Sequence, residues 1–346
     1  MKLSLFDYNL PKNRIANKPA SPRDSSKLLV YNKINDRIVH DSFLNLPKYL
    51  TQNDVLVFNN TKVLPARLLG NKESGGRAEI LLLKQINDSE WEAMLGTRKP
   101  KIGLKLLFKH NLQASLVNQL SNKTWTVKFN FSDSKLFNII HKIGQVPLPP
   151  YIESTQSQKN LKKQYQTIFA KTEGSSAAPT ASLHFTNRLL RKIKKTGCQL
   201  EFITLHVGLG TFEPVNTEKI EDFQIHSELI QIDKSTVENL LKAQKQSKRI
   251  IAVGTTAVRT LESIFNNPDI PVKNYSTPTN IFIYPGYKFK FVDAIITNFH
   301  LPKSSLLILV SAFIGRTKTL ALYNRAIKLK YRFFSFGDGI FLINEK

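Results

Sequence analysis

Short apolar runs, each ending in a polar or glycine-containing loop, are the main pattern along this chain. Residues 54–58, 201–207, 249–253 and 291–297 are rich in β-branched and aromatic side chains. Continuous runs of this length are typical of strands buried inside a sheet. If these strands lie parallel in one sheet, the loops at their carboxyl ends meet at a single edge. The pattern therefore predicts one site assembled from distant loops.

Amphipathic segments between these runs predict helices. Thr186 can cap a helix whose Leu189, Leu190 and Ile193 share one apolar face, with Gly197 as its stop. Further helices are predicted over residues 235–248, after Gly254, over 306–313 with Ser304 as the cap, and over 317–330.

Residues 68–148 have a different pattern, with short strand-like runs separated by turns. The runs cover residues 79–83, 91–95, 104–108 and 125–131. This spacing is typical of all-β structure, and a small barrel would close the edges of such a sheet. The proline-rich residues 144–151 predict a stiff linker where the region ends.

We therefore predict an α/β fold, in which a mixed-sheet α/β domain carries an inserted small antiparallel β-barrel domain. The first part of the α/β domain is predicted in residues 1–67, the barrel in 68–150 and the second part in 151–346. A hairpin over residues 28–32 and 37–40 and a strand over 281–284 are also predicted.

Charge adds a prediction about the partner. The 346 residues include 50 Lys and Arg against 26 Asp and Glu, a formal net charge of +24. This excess favours a polyanion as partner, because each phosphate that is neutralised releases counterions. A generally basic proteome is the alternative, and composition alone leaves it open.

Cysteine content and hydropathy bear on the compartment. Cys198 is the only cysteine, so an intramolecular disulfide and a cysteine-rich metal cluster are excluded. The chain does not open with a charged-then-apolar leader, and its longest apolar run, near residues 306–314, is too short to cross a bilayer. We therefore expect a cytoplasmic protein that spans no membrane.

The most suggestive stretch for chemistry is residues 173–212. Its small side chains at 177–182 let backbone amides approach a ligand, while His184 and His206 follow. The sequence Gly208-Leu209-Gly210 comes directly after the second histidine. Singly, the glycines fit a tight turn and each histidine a structural role, but together they favour a ligand site.

Two other segments have chemical and structural interpretations that sequence does not separate. Residues 221–228 hold three carboxylates and His226, which fits acid/base chemistry or a solvated turn. Gly254-Thr255-Thr256, where a strand turns into a helix, fits an anion site or an ordinary capped turn. Asn59, Asn60 and Arg67 likewise either bind ligand or satisfy backbone groups.

Six motifs occur in order along nearly the whole chain: APTASLHF, TLHVGLGTF, IEDFQIHSE, IAVGTTAVRTLES, DAIITNFHLPKSSLLILVSAF and YRFFSFGDG. Together they resemble the S-adenosylmethionine:tRNA ribosyltransferase-isomerase family of queuosine synthesis. Two positions depart from the family pattern, since Ser182 and Asn53 stand where glycine is expected. If Ser182 occupied a left-handed conformation, the loop would be strained.

The resemblance implies transfer of the ribosyl portion of S-adenosylmethionine to 7-aminomethyl-7-deazaguanine, already inserted at the anticodon wobble position of tRNA. Isomerisation then gives epoxyqueuosine-tRNA, with release of adenine and methionine. This chemistry requires a base for the 5′ carbon beside the sulfonium, an acid for adenine and an unprotonated acceptor amine. No metal and no cofactor other than S-adenosylmethionine, as co-substrate, is expected.

The resemblance also suggests roles for individual residues. Proton transfer is expected from His206, His226 and His300, with Asp222 or Glu228 orienting one of them. Substrate contacts are expected from Pro179, Thr180, His184, Gly208, Gly210, Thr211, Gly254, Thr255, Thr256, Arg259 and Asn298. RNA contacts are expected from Arg98, Lys99, Lys101, Arg188, Arg191 and Lys192.

Two competing functions are kept. The first is a non-catalytic basic RNA-binding protein, in which the histidine loops are only structural. The second is an S-adenosylmethionine-dependent tRNA methyltransferase, which is disfavoured because no third glycine follows Gly208 and Gly210. Whichever function applies, we expect the protein to be a monomer.

Overall fold

A nine-stranded mixed sheet organises the structure, a computed structural model that describes residues 1–122, 124–147, 157–208, 215–267 and 269–344. Its four central strands are parallel neighbours: β12 (Gln199–Leu205), β3 (Asp54–Asn59), β14 (Arg249–Val253) and β16 (Ala294–Asn298). The outer strands are β1 (Lys27–Asn32), β2 (Arg37–Ser42), β13 (Glu228–Ile232), β15 (Tyr275–Thr279) and β17 (Gly339–Ile343). The order is β15-β13-β12-β3-β14-β16-β17-β1-β2.

The central strands are covered on both faces, as their apolar sequences predict. Every residue of β3 is buried. Because side chains alternate along a strand, Val55 and Val57 enter one core while Leu56 and Phe58 enter the other. Burial on both sides explains why the run has no polar alternation.

The helices pack on the two faces of this sheet, except the first, whose Leu136, Ile139 and Ile140 belong to a separate core. They are α1 (Asp133–Ile143), α2 (Gln158–Gln164), α3 (Asn187–Lys195), α4 (Lys234–Lys245), α5 (Thr255–Ile264), α6 (Ser305–Ile314) and α7 (Arg316–Lys328). The predicted caps are confirmed, since the Thr186 and Ser304 side chains accept from the amides of Leu189 and Leu307. Among the described residues, no individual helix is long and apolar enough to cross a membrane; α6 and α7 together pass by length and composition but bend by 114°.

The predicted barrel is confirmed as a closed antiparallel sheet. Its strands are β5 (Arg67–Lys72), β6 (Arg77–Gln85), β7 (Glu90–Leu95), β8 (Lys105–Leu107), β9 (Gln113–Gln119) and β10 (Thr124–Phe129), in the order β10-β7-β6-β5-β8-β9. It has a core of its own, which includes Trp91 and Trp125. The domain boundaries proposed from sequence stay a prediction.

Several elements differ from the sequence predictions. Residues 281–284 are not a strand; Tyr275–Thr279 pairs with β13 instead, and the carbonyl of Ile281 accepts from Arg259 Nε at 3.2 Å. A short apolar run does not reveal by itself whether it pairs or only packs. The strands β5, β9, β13, β15 and β17 and the helices α1 and α2 were not predicted. Residues 148–151 of the predicted linker lie outside the described part of the chain.

A two-stranded parallel ribbon joins the barrel to the sheet. It pairs β4 (Thr61–Val63), just before the barrel, with β11 (Thr172–Ser175), which follows α2. The ribbon begins where β3 leaves the sheet. There the Asn59 side-chain amide, instead of the β3 backbone, forms the hydrogen bonds to β12. Asn59 Oδ1 accepts from the amides of Leu205 and Thr61 at 3.1 and 3.0 Å, and its Nδ2 donates to the Leu205 carbonyl at 2.9 Å. The backbone interpretation of Asn59 is therefore the correct one.

Glu262, near the end of α5, fixes the segment that enters β16. Its fully buried carboxylate accepts from the amides of Lys290, Phe291 and Val292 and from the Tyr287 hydroxyl, all at 2.9 to 3.0 Å. These donors come from an irregular segment that has no strand to pair with. One carboxylate therefore replaces a ladder of hydrogen bonds.

We expect Glu262→Ala to lower the free energy of unfolding by about 3 kcal/mol, because three amides and a hydroxyl lose their acceptor. Urea unfolding followed by far-ultraviolet circular dichroism, which reports on the helices of the α/β domain, measures this change. Glu238→Ala, at an exposed position on α4, is the matched control and should stay within about 0.5 kcal/mol of the parent. Equal stability of the two variants would contradict this role.

Candidate active site

Loops from distant parts of the chain meet at the carboxyl edge of the parallel strands, as the sequence predicted. They form a cleft whose predicted members are Pro179, Thr180, Gly254, Thr255, Thr256, Asn298 and His300. The lining also includes residues that were not predicted, namely Val207, Thr297, Leu306, Phe334 and Ser335. Convergence follows from topology, since β12, β14 and β16 all point the same way.

The start of α5 offers donors to this cleft. Gly254 has φ of +92°, which glycine adopts without strain, and its carbonyl accepts the first helical bond from Val258 at 3.2 Å. The amides of Thr255, Thr256 and Ala257 precede that bond and have no partner within the helix. The hydroxyl of Thr256 is buried and has no hydrogen-bond partner among the described residues. This helix start is therefore suited to an anionic group.

Asn298 is the centre of a hydrogen-bond network beneath the cleft. Its Oδ1 accepts from the Thr180 hydroxyl at 3.1 Å, and its Nδ2 donates to the Phe334 carbonyl and to His184 Nε2, both at 3.2 Å. His184 Nδ1 lies 2.7 Å from the Ser26 hydroxyl, and the imidazole stacks on Phe43. Both ring nitrogens of His184 thus bond to the protein, and the residue positions Asn298 from below.

Two buried histidines are held neutral. Burial, with smaller contributions from Arg332 and Arg23, lowers the pKa of His184 from 6.5 to about 3. Burial also lowers the pKa of His300 to about 3, and its Nε2 lies 3.1 Å from the Thr297 hydroxyl. His300 lines the cleft, whereas His184 lies behind Asn298.

His206 follows β12 and points to the ribbon rather than into the cleft. Its Nδ1 lies 2.9 Å from the Thr61 hydroxyl, which is 3.5 Å from the Thr172 carbonyl. When the hydroxyl donates to the carbonyl and accepts from Nδ1–H, the lone pair of the imidazole is on Nε2. Burial lowers the pKa of His206, so the neutral form is favoured. Gly174 makes room for the ring, because an added Cβ would lie 2.9 Å from it.

A second histidine lies beside a buried carboxylate. Glu228 accepts from the Gly208 amide at 3.0 Å, lies 3.3 Å from His226 Nε2 and forms an ion pair with Arg259. Burial alone would raise the pKa of Glu228, but Arg259, His226 and the Gly208 amide together lower it to about 2. Of the two carboxylates named from sequence, Asp222 and Glu228, it is Glu228 that lies beside His226, and an orienting role for it stays a prediction.

Arg259 belongs to this cluster, one turn after Thr255 and Thr256 on α5. Its Nη1 donates to Glu228 and its Nε to the Ile281 carbonyl, while Nη2 is buried and has no hydrogen-bond partner among the described residues. The residue is therefore not a free cation. One of its donors nevertheless remains available beside the helix start.

Other predicted residues lie elsewhere. Asp222 is exposed on the 3-10 helix Ile220–Asp222, and Gly210 and Thr211 fall outside the described residues. Arg188, in the first turn of α3, forms an ion pair with buried Asp24. The remaining predicted RNA-binding residues are exposed: Arg98, Lys99 and Lys101 in the barrel and Arg191 and Lys192 on α3. Within the described ranges, no three His, Cys, Asp or Glu side chains are grouped so that they could hold a metal ion.

Some site residues escaped the sequence analysis although signals existed. Thr61 immediately follows the polar Asn59-Asn60 pair, and Phe334 and Ser335 lie within the YRFFSFGDG motif that was interpreted as core. Ser182 resolves one departure from the family pattern. It lies in the 3-10 helix Thr180–His184, which requires no left-handed backbone, so the serine is accommodated without strain.

Comparisons with known proteins cover almost the whole chain. Residues 3–342 match the family described as "Queuosine biosynthesis protein". The chain is 45% identical over 343 residues to the S-adenosylmethionine:tRNA ribosyltransferase-isomerase of Aquifex aeolicus and 48% identical over 343 residues to that of Thermosipho africanus. In both cases 99% of this chain and 100% of the relative are covered. The crystal structure of S-adenosylmethionine tRNA ribosyltransferase from Thermotoga maritima is similar with a TM-score of 0.58 and 36% identity, covering 98% of this chain and 100% of that one.

The buried neutral histidines predict acid sensitivity. Between pH 6.5 and 3 the unfolded chain binds a proton at His184 and at His300 that the folded chain does not, so stability falls as the pH drops. Each histidine should cost about 2 kcal/mol between pH 7 and pH 5. The pKa of Glu228 is lowered from 4.5 to about 2, so its contribution to stability is lost only below the compared range of pH 7 to 5.

Urea midpoints at the two pH values test this for His184→Asn. Whatever its stability at pH 7, the variant should lose about 2 kcal/mol less than the parent chain on acidification. His110→Asn, at an exposed barrel position, is the control and should keep the parental loss. The same loss in His184→Asn as in the parent would refute the assignment.

Proposed function

Since the chain belongs to the S-adenosylmethionine:tRNA ribosyltransferase-isomerase family of queuosine biosynthesis proteins, we propose that it acts on tRNA with S-adenosylmethionine as co-substrate. It is an enzyme, both transferase and isomerase. The relationship that carries this conclusion extends over 99% of the chain and the full length of its relatives. The two competing functions, a non-catalytic RNA-binding protein and a methyltransferase, are not favoured by these comparisons.

The reaction transfers the ribosyl portion of S-adenosylmethionine to the aminomethyl group of 7-aminomethyl-7-deazaguanine at the wobble position. The transferred sugar rearranges to the epoxycyclopentanediol of epoxyqueuosine, and adenine and methionine leave. We propose that the enzyme works as a cytoplasmic monomer. The site residues below are part of the same proposal.

His206 is our candidate for the base that removes the proton from the 5′ carbon. Its Nδ1 contacts the Thr61 hydroxyl, burial favours the neutral imidazole, and the tautomer that we propose has the proton on Nδ1 and the lone pair on Nε2. A neutral histidine with one free nitrogen is the form that general base catalysis requires. The neighbouring pair of His226 and Glu228 is the candidate donor for the departing adenine, because a carboxylate at 3.3 Å can orient the imidazole.

The start of α5 is our candidate for the methionine carboxylate. Three amides without a partner in the helix lie there, and so do the Thr256 hydroxyl and Arg259 Nη2, which have no hydrogen-bond partner among the described residues. Helix dipole and guanidinium both favour an anion at this position. His300 and His184, both neutral, would support the cleft rather than carry charge.

If His206 is the base, His206→Gln should reduce the single-turnover rate of adenine release by about 10² to 10⁴, since glutamine cannot accept the proton. Precursor-containing tRNA and S-adenosylmethionine are mixed with excess enzyme, and adenine is quantified by chromatography. In the parent, the rate should fall on the acid side of pH 6.5, because the pKa of His206 is lowered. His110→Gln is the control, and a His206→Gln rate within threefold of the parent would exclude this base.

If Thr256 binds the carboxylate, Thr256→Val should raise KM for S-adenosylmethionine by roughly threefold to tenfold with little change in kcat, as one hydrogen bond is lost. Ser263→Ala is the matched control on the same helix, since the Ser263 hydroxyl instead contacts Thr279. Steady-state adenine release measures both constants. An unchanged KM in Thr256→Val would place the carboxylate elsewhere.

A further inference from the structure

A group of lysines lies where the barrel, α2 and the ribbon meet. We call it the lysine cluster and define it as Lys62, Lys159, Lys162 and Lys163. The four side chains line one pocket, together with His141 and Gln166. They come from β4 and α2, so distant segments of sequence build the cluster.

The cluster has more positive charge than its surroundings neutralise. Glu173 forms an ion pair with Lys62 and lies 2.9 Å from His141 Nε2. Lys162 Nζ donates to the His141 carbonyl at 3.0 Å, and burial alone lowers its pKa. Within the described part of the chain, Lys159 and Lys163 have no carboxylate within ion-pair distance. Of the four ammonium groups, only that of Lys62 is paired with a carboxylate among the described residues.

The supporting structure is rigid. Arg23 donates to the carbonyls of Lys163, Gln164 and Gln166 at 2.8 to 3.0 Å, which fixes the end of α2. The Gln166 side chain bonds to both backbone groups of Val63 in β4. The lysines are therefore presented on a surface that is already ordered before a ligand arrives.

The cluster is next to His206. Thr61 and Lys62 are consecutive in β4, and consecutive side chains of a strand point to opposite faces. Thr61 contacts the imidazole, whereas Lys62 contacts Glu173, which is paired in register with it on β11. Lys62 of the cluster and the candidate base therefore lie on opposite sides of the same ribbon.

We propose that the lysine cluster binds the phosphodiester backbone of the tRNA beside the nucleotide that is modified, an inference that rests on the function proposed above. Lysine is a point charge that tolerates many phosphate geometries, as a backbone contact without sequence readout requires. The adjacent imidazole accounts for the location, because the acceptor base must reach the reacting sugar. This surface was not among the RNA-binding residues predicted from sequence.

The test is tRNA binding by Lys159→Gln/Lys163→Gln across a series of KCl concentrations. Loss of two phosphate contacts should weaken binding on the order of tenfold at about 0.1 M salt and reduce the log–log salt slope by about 1.4 to 1.8. Both residues are exposed on α2, so folding should be unaffected. Lys242→Gln/Lys245→Gln, the same charge change at exposed positions of α4, should keep the parental slope. Lys159→Arg/Lys163→Arg should restore it.

Adenine release separates this inference from the proposed function. The glutamine variant should show a raised KM for tRNA with an unchanged kcat at saturating tRNA. If the parent chain releases no adenine, the proposed function fails, while the binding slopes still test the cluster. If adenine is released and the glutamine variant keeps the parental slope, the inference is overturned. Calorimetric binding of inorganic phosphate to the cluster, with an unchanged tRNA slope, would also overturn it.

Discussion

The side chain of Asn59 is the interaction on which the candidate site depends. At the end of β3 it forms the hydrogen bonds with Leu205 that a further strand residue would otherwise make. The backbone of β3 is thereby released from the sheet without leaving buried polar groups of β12 unpaired. The chain can turn into β4, and this turn brings Thr61 to His206 and Lys62 to the opposite side of the ribbon. A single amide thus determines where the sheet ends and the site begins.

Much of the architecture follows from sequence, because burial on both faces leaves a continuous apolar run. The four central strands were predicted for this reason. The helix caps at Thr186 and Ser304 were predicted because their hydroxyls can accept from backbone amides, and the convergence of loops because parallel strands end at one edge. The barrel was recognised from its spacing, although β5 and β9 were missed. Residues 281–284 were assigned wrongly, since apolar character alone does not distinguish a paired strand from a packed loop.

Side-chain partners were harder to predict, because they join positions far apart in sequence. Thr61 and His206 are separated by 145 residues, and Glu228 and Arg259 by 31. The local sequence places three carboxylates within a few residues of His226, and in the structure Glu228 lies beside it. Which face of a strand a histidine occupies depends on its register in the sheet, and that information is not local. The candidate site is therefore recognisable in outline from sequence, but its pairings require coordinates.

The ribbon of β4 and β11 has a mechanical consequence for the molecule. The strand β4 leads directly into the barrel, and it is hydrogen-bonded to β11, which the chain reaches only after α2. Thr61 on one strand contacts the imidazole of His206, and Gly174 on the other strand leaves room for that ring. A movement of the barrel that shifts β4 relative to β11 would therefore displace the His206 ring or break its contact with Thr61. A large ligand that binds to the barrel would thus be able to change the position of His206, the candidate base.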